Sequence, residues 1–223
     1  MRKNETADKR LKKEYSNLVI IGLVGGIACG KSTVAGLLGR LGAVIIDADE
    51  ITHGVLERPE VVRKIGAAFG PAVIVKGAVS RKRLAEAAFA DAAGLKKLTD
   101  IVHPPVLAEV YARLRKLDSG PGRRAAVIEA SLLVEAGLNV ICDHVVYLSC
   151  ALNQRLWRAK KNRSWTSDEL KRREKFQLML HDKRSASNYE INNNLSFEYT
   201  RRAAERFWKE RVAPAIDAKT KSS

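Results

Sequence analysis

The sequence predicts an α/β fold of the doubly wound type, a parallel sheet of about five strands with helices on both faces. Three observations carry the prediction. Short runs rich in β-branched residues recur at 18–23 (LVIIGL), 43–47 (AVIID), 125–129 (AAVIE) and 144–148 (HVVYL), with a weaker one at 189–191. They are apolar almost throughout instead of alternating, the pattern of strands buried on both faces. Helical patterns fill the intervals between them.

Taken in order, residues 1–16 are polar and charged with no apolar period. They read as a flexible basic extension, so the folded domain is expected to span 17–217, with 218–223 as a tail. The first strand ends in glycines, and a helix follows from Lys31 to about Leu41. The second strand closes on Asp47-Ala48-Asp49. Residues 59–117 hold several helical segments and no convincing strand, with Ser80 placed to cap one helix and His103-Pro104-Pro105 to break another; they read as a helical insert. Residues 155–167 are basic and read as a mobile lid. Thr166-Ser167-Asp168-Glu169 then offers a cap and an acidic first turn for a long basic helix to about Leu180. A last helix spans 197–212, with Phe197, Tyr199, Phe207 and Trp208 read as packing residues.

At 223 residues and 46% hydrophobic composition, the chain can bury the core of one domain carrying a small insert. No apolar run is long enough to span a bilayer, and the basic N-terminus lacks the apolar core of a signal peptide. The expected location is therefore the cytoplasm, with no membrane partner. Cys29, Cys142 and Cys150 match neither a disulfide framework nor a zinc site and are expected as free thiols. Beside a helix N-terminus, Cys29 reads either as a reactive thiol or as a small residue tolerated in a loop. The formal charge of +15 suggests a polyanionic partner, and 155–184 alone holds eleven Lys or Arg against four Asp or Glu. Such a cluster suits a triphosphate, a phosphorylated substrate or nucleic acid, or forms a solvated helical face.

Gly25-Gly26-Ile27-Ala28-Cys29-Gly30-Lys31-Ser32 satisfies G-x-x-x-x-G-K-[ST], the P-loop pattern, and lies between an apolar strand and a helix, where that pattern acts. Its glycines let the backbone curl so that successive N–H groups point at phosphate oxygens, and the helix adds the positive end of its dipole. Lys31 is expected to reach the β- and γ-phosphates, and Ser32 to hold Mg²⁺. The fold class is thereby narrowed to the P-loop NTPase type, binding ATP or GTP.

Phosphoryl transfer also needs a group that orients the acceptor and takes its proton. Asp49 is the candidate base, with Asp47 positioning substrate or the water shell of the metal, or capping the next helix. Glu129 reads as a holder of a metal-bound water or as a structural carboxylate. Cations must neutralise the transferring group. Among Arg155, Arg158, Lys160, Lys161 and Arg163, the preferred pair is Arg158 and Arg163.

From about Leu18 to Trp208 the chain resembles the dephospho-coenzyme A kinase family. GLVGGIACGKST, ending at Thr33, is similar to the family's GLTGGIGSGKST, and Asp47 to Asp49 match its DAD. Phe69-Gly70, then Gly77, Arg81 and Leu84, then His103-Pro104, then Leu132, Leu133 and Glu135, and a lid and helix from Arg158 to Gln177 follow the family's order. The resemblance implies transfer from ATP, with Mg²⁺, to the ribose 3′-hydroxyl of dephospho-coenzyme A, the last step of coenzyme A synthesis. It implies Asp49 as base, Gly25 to Thr33 with Asn193 as nucleotide-binding residues, and Arg81 and His103 as receivers of the substrate.

Four departures stand out. Ala28 replaces a family glycine, and Ser131 a proline. Asn162 stands where a lid arginine is usual, so Arg163 is expected to substitute for it. Residues 187–193 keep only Ile191 and Asn193 of a motif otherwise rich in carboxylates. Rival readings are a P-loop kinase for another nucleotide-like or sugar acceptor, a nucleic-acid-binding protein using its charge, and a pseudo-kinase. Against nucleic acid, no recognition motif is found. Oligomeric state is not legible.

Overall fold

The computed structural model describes residues 14–122 and 124–221. The chain divides into two compact units, Met1–Asp47 with Arg113–Ser223, and Ala48–Ala112. The first unit opens with β1 (Val19–Gly25), α1 (Lys31–Arg40) and β2 (Val44–Asp47). The second holds α2 (Ala48–Leu56), α3 (Pro59–Phe69), β3 (Ile74–Val75), β4 (Ala78–Val79), α4 (Arg81–Ala88) and most of α5 (Ala92–Ser119). The first unit resumes with β5 (Ala125–Glu129), β6 (His144–Ser149), α6 (Leu152–Arg163), α7 (Ser167–Glu174), α8 (Leu180–Ser185) and β7 (Tyr189–Asn192). It closes with α9 (Phe197–Phe207) and α10 (Ala213–Lys221), joined by a π-helical turn at Trp208–Val212.

The five long strands pair in parallel in the order β2-β5-β1-β6-β7, the doubly wound sheet that the apolar runs predict. β1 takes the centre because all seven of its residues are buried and can be covered on both faces. Its neighbours β5 and β6 are successive strands lying on opposite sides of it, so the winding reverses there. That reversal opens a crevice beyond the carboxyl end of β1, where ligands of such sheets bind.

On one face, Val19, Ile21 and Leu23 pack with Val34 and Leu38 of α1 and with Ala204, Phe207 and Val212. Phe207 is fully buried, with its ring centre 4.6 Å from Tyr189 and 5.6 Å, edge-on, from His144. Trp208 packs on the same cluster, but Phe197 and Tyr199 are exposed, against the expectation that all four aromatics pack. Thr200, Ala204 and Phe207 make the buried stripe of α9, and the first turn with Phe197 and Tyr199 precedes it.

Order reaches past the expected limits of 17 and 217. Tyr15 is buried. Lys219 of α10 donates to the carbonyls of Tyr15 (3.0 Å) and Leu18 (2.7 Å) and to the Asp143 carboxylate (3.0 Å), whose same oxygen accepts the Ile20 amide (2.8 Å). Residues 1–13 of the expected extension and 222–223 of the tail lie outside the described residues.

Three expectations about helices and strands are corrected. In the second unit, β3 and β4 form a small antiparallel hairpin inside the supposedly all-helical insert. Its two-residue turn, Lys76-Gly77, has positive φ at both positions, the geometry that lets short strands twist together. The helix α5 is not broken at His103-Pro104-Pro105 but runs through both prolines. Val102, Val106 and Val110 are buried at four-residue spacing, and that packing outweighs the lost N–H bonds. The basic helix expected to reach Leu180 ends as α7 at Glu174. Beyond it the Leu178 amide donates to the Glu135 carboxylate (2.8 Å) instead of continuing the helical ladder.

Replacing Phe207 by alanine should cost about 3–5 kcal/mol by emptying this buried, ring-lined site. Urea denaturation should show the midpoint falling with little change in slope.

Candidate active site

The phosphate loop joins β1 to α1 at the reversal of the sheet. Gly30 occupies the N-cap of α1 with φ +97 and no side chain caps the helix, so its first-turn amides are left for an anion. Lys31 is almost buried, with Nζ 3.4 Å from the Gly26 carbonyl oxygen. The Cys29 side chain is fully buried; a Cβ at Gly25 would stand 2.7 Å from its sulfur. Of its two readings, the small packed residue is therefore the one the structure favours. The described cysteines are all free thiols.

Ala28 takes φ +60, the left-handed region where a side chain costs about 1–2 kcal/mol relative to glycine's freedom. Its backbone is held there by packing: Ala28, Leu156 and Trp165 flank a buried cluster of Ile27, Ala159 and Leu170. Here the loop leans on α6 and α7.

The Cys29 carbonyl is gripped from two sides. Asn193 Nδ2 donates to it at 2.7 Å and Arg158 Nη1 at 3.2 Å. The buried Asn193 is itself oriented by Thr200, whose hydroxyl donates to its Oδ1 at 2.8 Å, and its main-chain carbonyl accepts from Arg158 Nη2 at 3.0 Å. A Cβ at Gly30 would fall 2.2 Å from Asn193 Nδ2, which leaves only glycine at that position. Asn193, expected among the nucleotide-binding residues, thus has its side chain engaged with the loop backbone and with Thr200.

The basic segment expected as a mobile lid begins as the helix α6, and helical phase sorts its cations. At about 100° per residue, Arg155, Arg158 and Asn162 share one face, while Arg163 lies about 140° round from Arg158. Arg163, expected as the substitute for a lid arginine, stacks on Trp165 (5.0 Å to the ring centre). Arg155, by contrast, is 4% exposed, and a Cβ at Gly26 would stand 2.7 Å from its Nη1. Its guanidinium pairs with Glu174 of α7.

At the carboxyl ends of the strands, Asp47 of β2 pairs in register with Glu129 of β5, which also stands opposite Leu23 of β1. The Ser32 hydroxyl donates to Glu129. Hydroxyl and carboxylates are the hard oxygen donors that suit Mg²⁺. Asp49 follows two residues after Asp47, exposed in the first turn of α2. Arg81 opens α4 and His103 lies within α5; both belong to the second unit.

Lys183 is absent from every sequence expectation, yet it is buried beside the loop after β5. Its ammonium donates to the Ser131 carbonyl (3.1 Å) and Gln177 Oε1 (2.8 Å) and pairs with Glu135 (3.1 Å). Burial pulls its pKa below the ordinary lysine value, with Glu135 pushing back. Only its family context, Glu135 and Gln177, was visible in the sequence. The signal for Arg155 was helical phase.

A model of the family described as dephospho-CoA kinase matches residues 19–198. The chain belongs to the dephospho-CoA kinase family. It is 36% identical over 194 residues to the dephospho-CoA kinase of Geobacter sulfurreducens, covering 86% of this chain and 98% of that one. A Thermus thermophilus crystal structure superposes with a TM-score of 0.74 at 29% identity, over 87% of this chain and 98% of that one. An Acinetobacter baumannii shikimate kinase shares the fold alone, with a TM-score of 0.51 at 19% identity. As a member of the dephospho-CoA kinase family the chain is an enzyme, a P-loop phosphotransferase.

Two outcomes follow from this geometry. Ala28→Gly should raise stability by up to about 1 kcal/mol through relief of the left-handed alanine, read as a higher denaturation midpoint. Asn193→Ala should weaken ATP binding about tenfold, measured by calorimetry, because the Cys29 carbonyl loses its closest donor.

Proposed function

We propose that this chain transfers the γ-phosphoryl group of ATP to the ribose 3′-hydroxyl of dephospho-coenzyme A, giving coenzyme A and ADP. The observation that carries this reading is the intact phosphate loop at the end of β1, with Lys31 against Gly26 and Ser32 on Glu129, in a chain of this family.

The loop amides and Lys31 bind the β- and γ-phosphates. Ser32 would hold Mg²⁺, with Glu129 and Asp47 accepting from its waters; the ion supplies neutralisation of phosphate charge. Asp49 takes the proton of the acceptor hydroxyl. A bond forms from that oxygen to the γ-phosphorus as the bond to the β,γ-bridging oxygen breaks, and the negative charge departs on ADP. Arg158 steadies the loop through Cys29 and Asn193. Arg81 and His103 receive the substrate. No helix among the described residues is long and apolar enough to cross a membrane, in keeping with a small-molecule enzyme of the cytoplasm.

The test is coupled ADP release with ATP, Mg²⁺ and dephospho-coenzyme A. Turnover should depend on the acceptor, and Asp49→Asn and Lys31→Ala should each lower kcat at least a hundredfold. Binding of ATP without acceptor-dependent turnover would sink the proposal.

A further inference from the structure

We infer that Arg155 is the cation that contacts the transferring phosphoryl group, taking the place of the lid arginine that Asn162 cannot supply, and that Glu174 positions it. The inference rests on the kinase reading above.

Four observations carry it. Arg155 is one of three charged side chains buried among the described residues, at 4% exposure, and Glu174 pairs with it there. Its guanidinium lies over Gly26, where a Cβ would stand 2.7 Å from Nη1, 3.0 Å from Cζ and 3.2 Å from Cδ. Lys31 Nζ reaches the carbonyl of that same Gly26, at 3.4 Å. Two cations therefore flank one residue of the phosphate loop, and the lysine marks where the β- and γ-phosphates go. Finally, Arg155 is only partly satisfied: Nη1 pairs with Glu174, but Nε is buried with no hydrogen-bond partner among the described residues.

The other two arginines of this helix are engaged elsewhere. Arg158 spends both terminal nitrogens on Cys29, Asn193, Cys150 and Gln154. Arg163 lies on the Trp165 ring and about 140° round α6 from Arg158. Of these three arginines, Arg155 combines the right helical phase, proximity to Gly26 and unused donor capacity. As the γ-phosphorus passes from the β,γ-bridging oxygen to the acceptor oxygen, the planar guanidinium shares charge on the equatorial oxygens. Glu174 holds the fork in place from α7.

The test compares Arg155→Met, Arg155→Lys and Glu174→Gln in full-length protein. Turnover is read by coupled ADP release, and equilibrium ADP affinity by calorimetry. ADP lacks the γ-phosphoryl group, so a catalytic arginine and a packing arginine separate. Arg155→Met should lose at least a hundredfold in kcat and bind ADP within threefold of the unmodified protein. Arg155→Lys, with charge but no fork, should lose at least tenfold. Glu174→Gln should lose about tenfold in kcat with ADP affinity kept, as a positioning residue would. The inference is overturned if both Arg155 variants turn over within threefold of the unmodified protein, or if ADP affinity falls in step with kcat. Should the unmodified protein itself show no acceptor-dependent turnover, the kinase reading fails, and this assignment with it.

Discussion

The site depends on one peptide oxygen. A trans peptide is planar, with its N–H pointing away from its carbonyl, so fixing one fixes the other. The Cys29 carbonyl is drawn toward Asn193 and Arg158, which turns the Gly30 N–H the opposite way, away from those two side chains. Asn193 cannot drift, because Thr200 holds its amide and its own N–H donates to the Ser149 carbonyl at 2.8 Å. Residues from β6, α6, the end of β7 and α9 thus converge on a loop that lies over a hundred residues earlier. The protein's own hydrogen bonds thus fix the backbone of the loop, and fixed dipoles are the condition for electrostatic stabilisation at no reorganisation cost.

The large positive charge is distributed unevenly in its consequences. On exposed helices Arg172 and Arg173 pair with Glu169, and Arg201 and Arg202 with Glu198, whose carboxyl those two guanidiniums hold down at about 2. Such solvated pairs contribute little to stability. Arg155 and Lys183, which are buried, and the half-buried Arg158 are different, because each is aimed at backbone or at a single carboxylate. Net charge counts all of these alike; burial and partners separate the cations built into the loop and its supports from those left on solvated helix faces.

Much of this was legible in the chain because it is local. Five apolar runs named the five parallel strands, and the glycine-lysine-serine spacing between two of them named the loop. What was missed depends on distance in sequence or on pieces too short to have a period. The two-residue strands of the β3–β4 hairpin cannot show alternation. The prolines at 104 and 105 argue for a break by every local rule, and only the valines buried around them keep α5 whole. Arg163 looked equivalent to Asn162 by adjacency, but a helix turns a neighbour about 100° away, and Arg155, nearly two turns upstream, comes round to the same face. Lys183 carries no local mark at all; its meaning lies in Ser131, Glu135 and Gln177.

The lysine staple at the far end of the sheet bears on how the chain is made. Lys219 lies 204 residues from Tyr15 and 201 from Leu18, yet it closes the entry to β1. During synthesis β1 emerges before the other strands of its sheet, and the Lys219 contacts at its leading edge cannot form until α10 has been made. Closure of contacts so distant in sequence is slow. β1, which pairs with both β5 and β6, thus leads the other strands of its sheet in synthesis, while its entry is fastened by a helix some two hundred residues later.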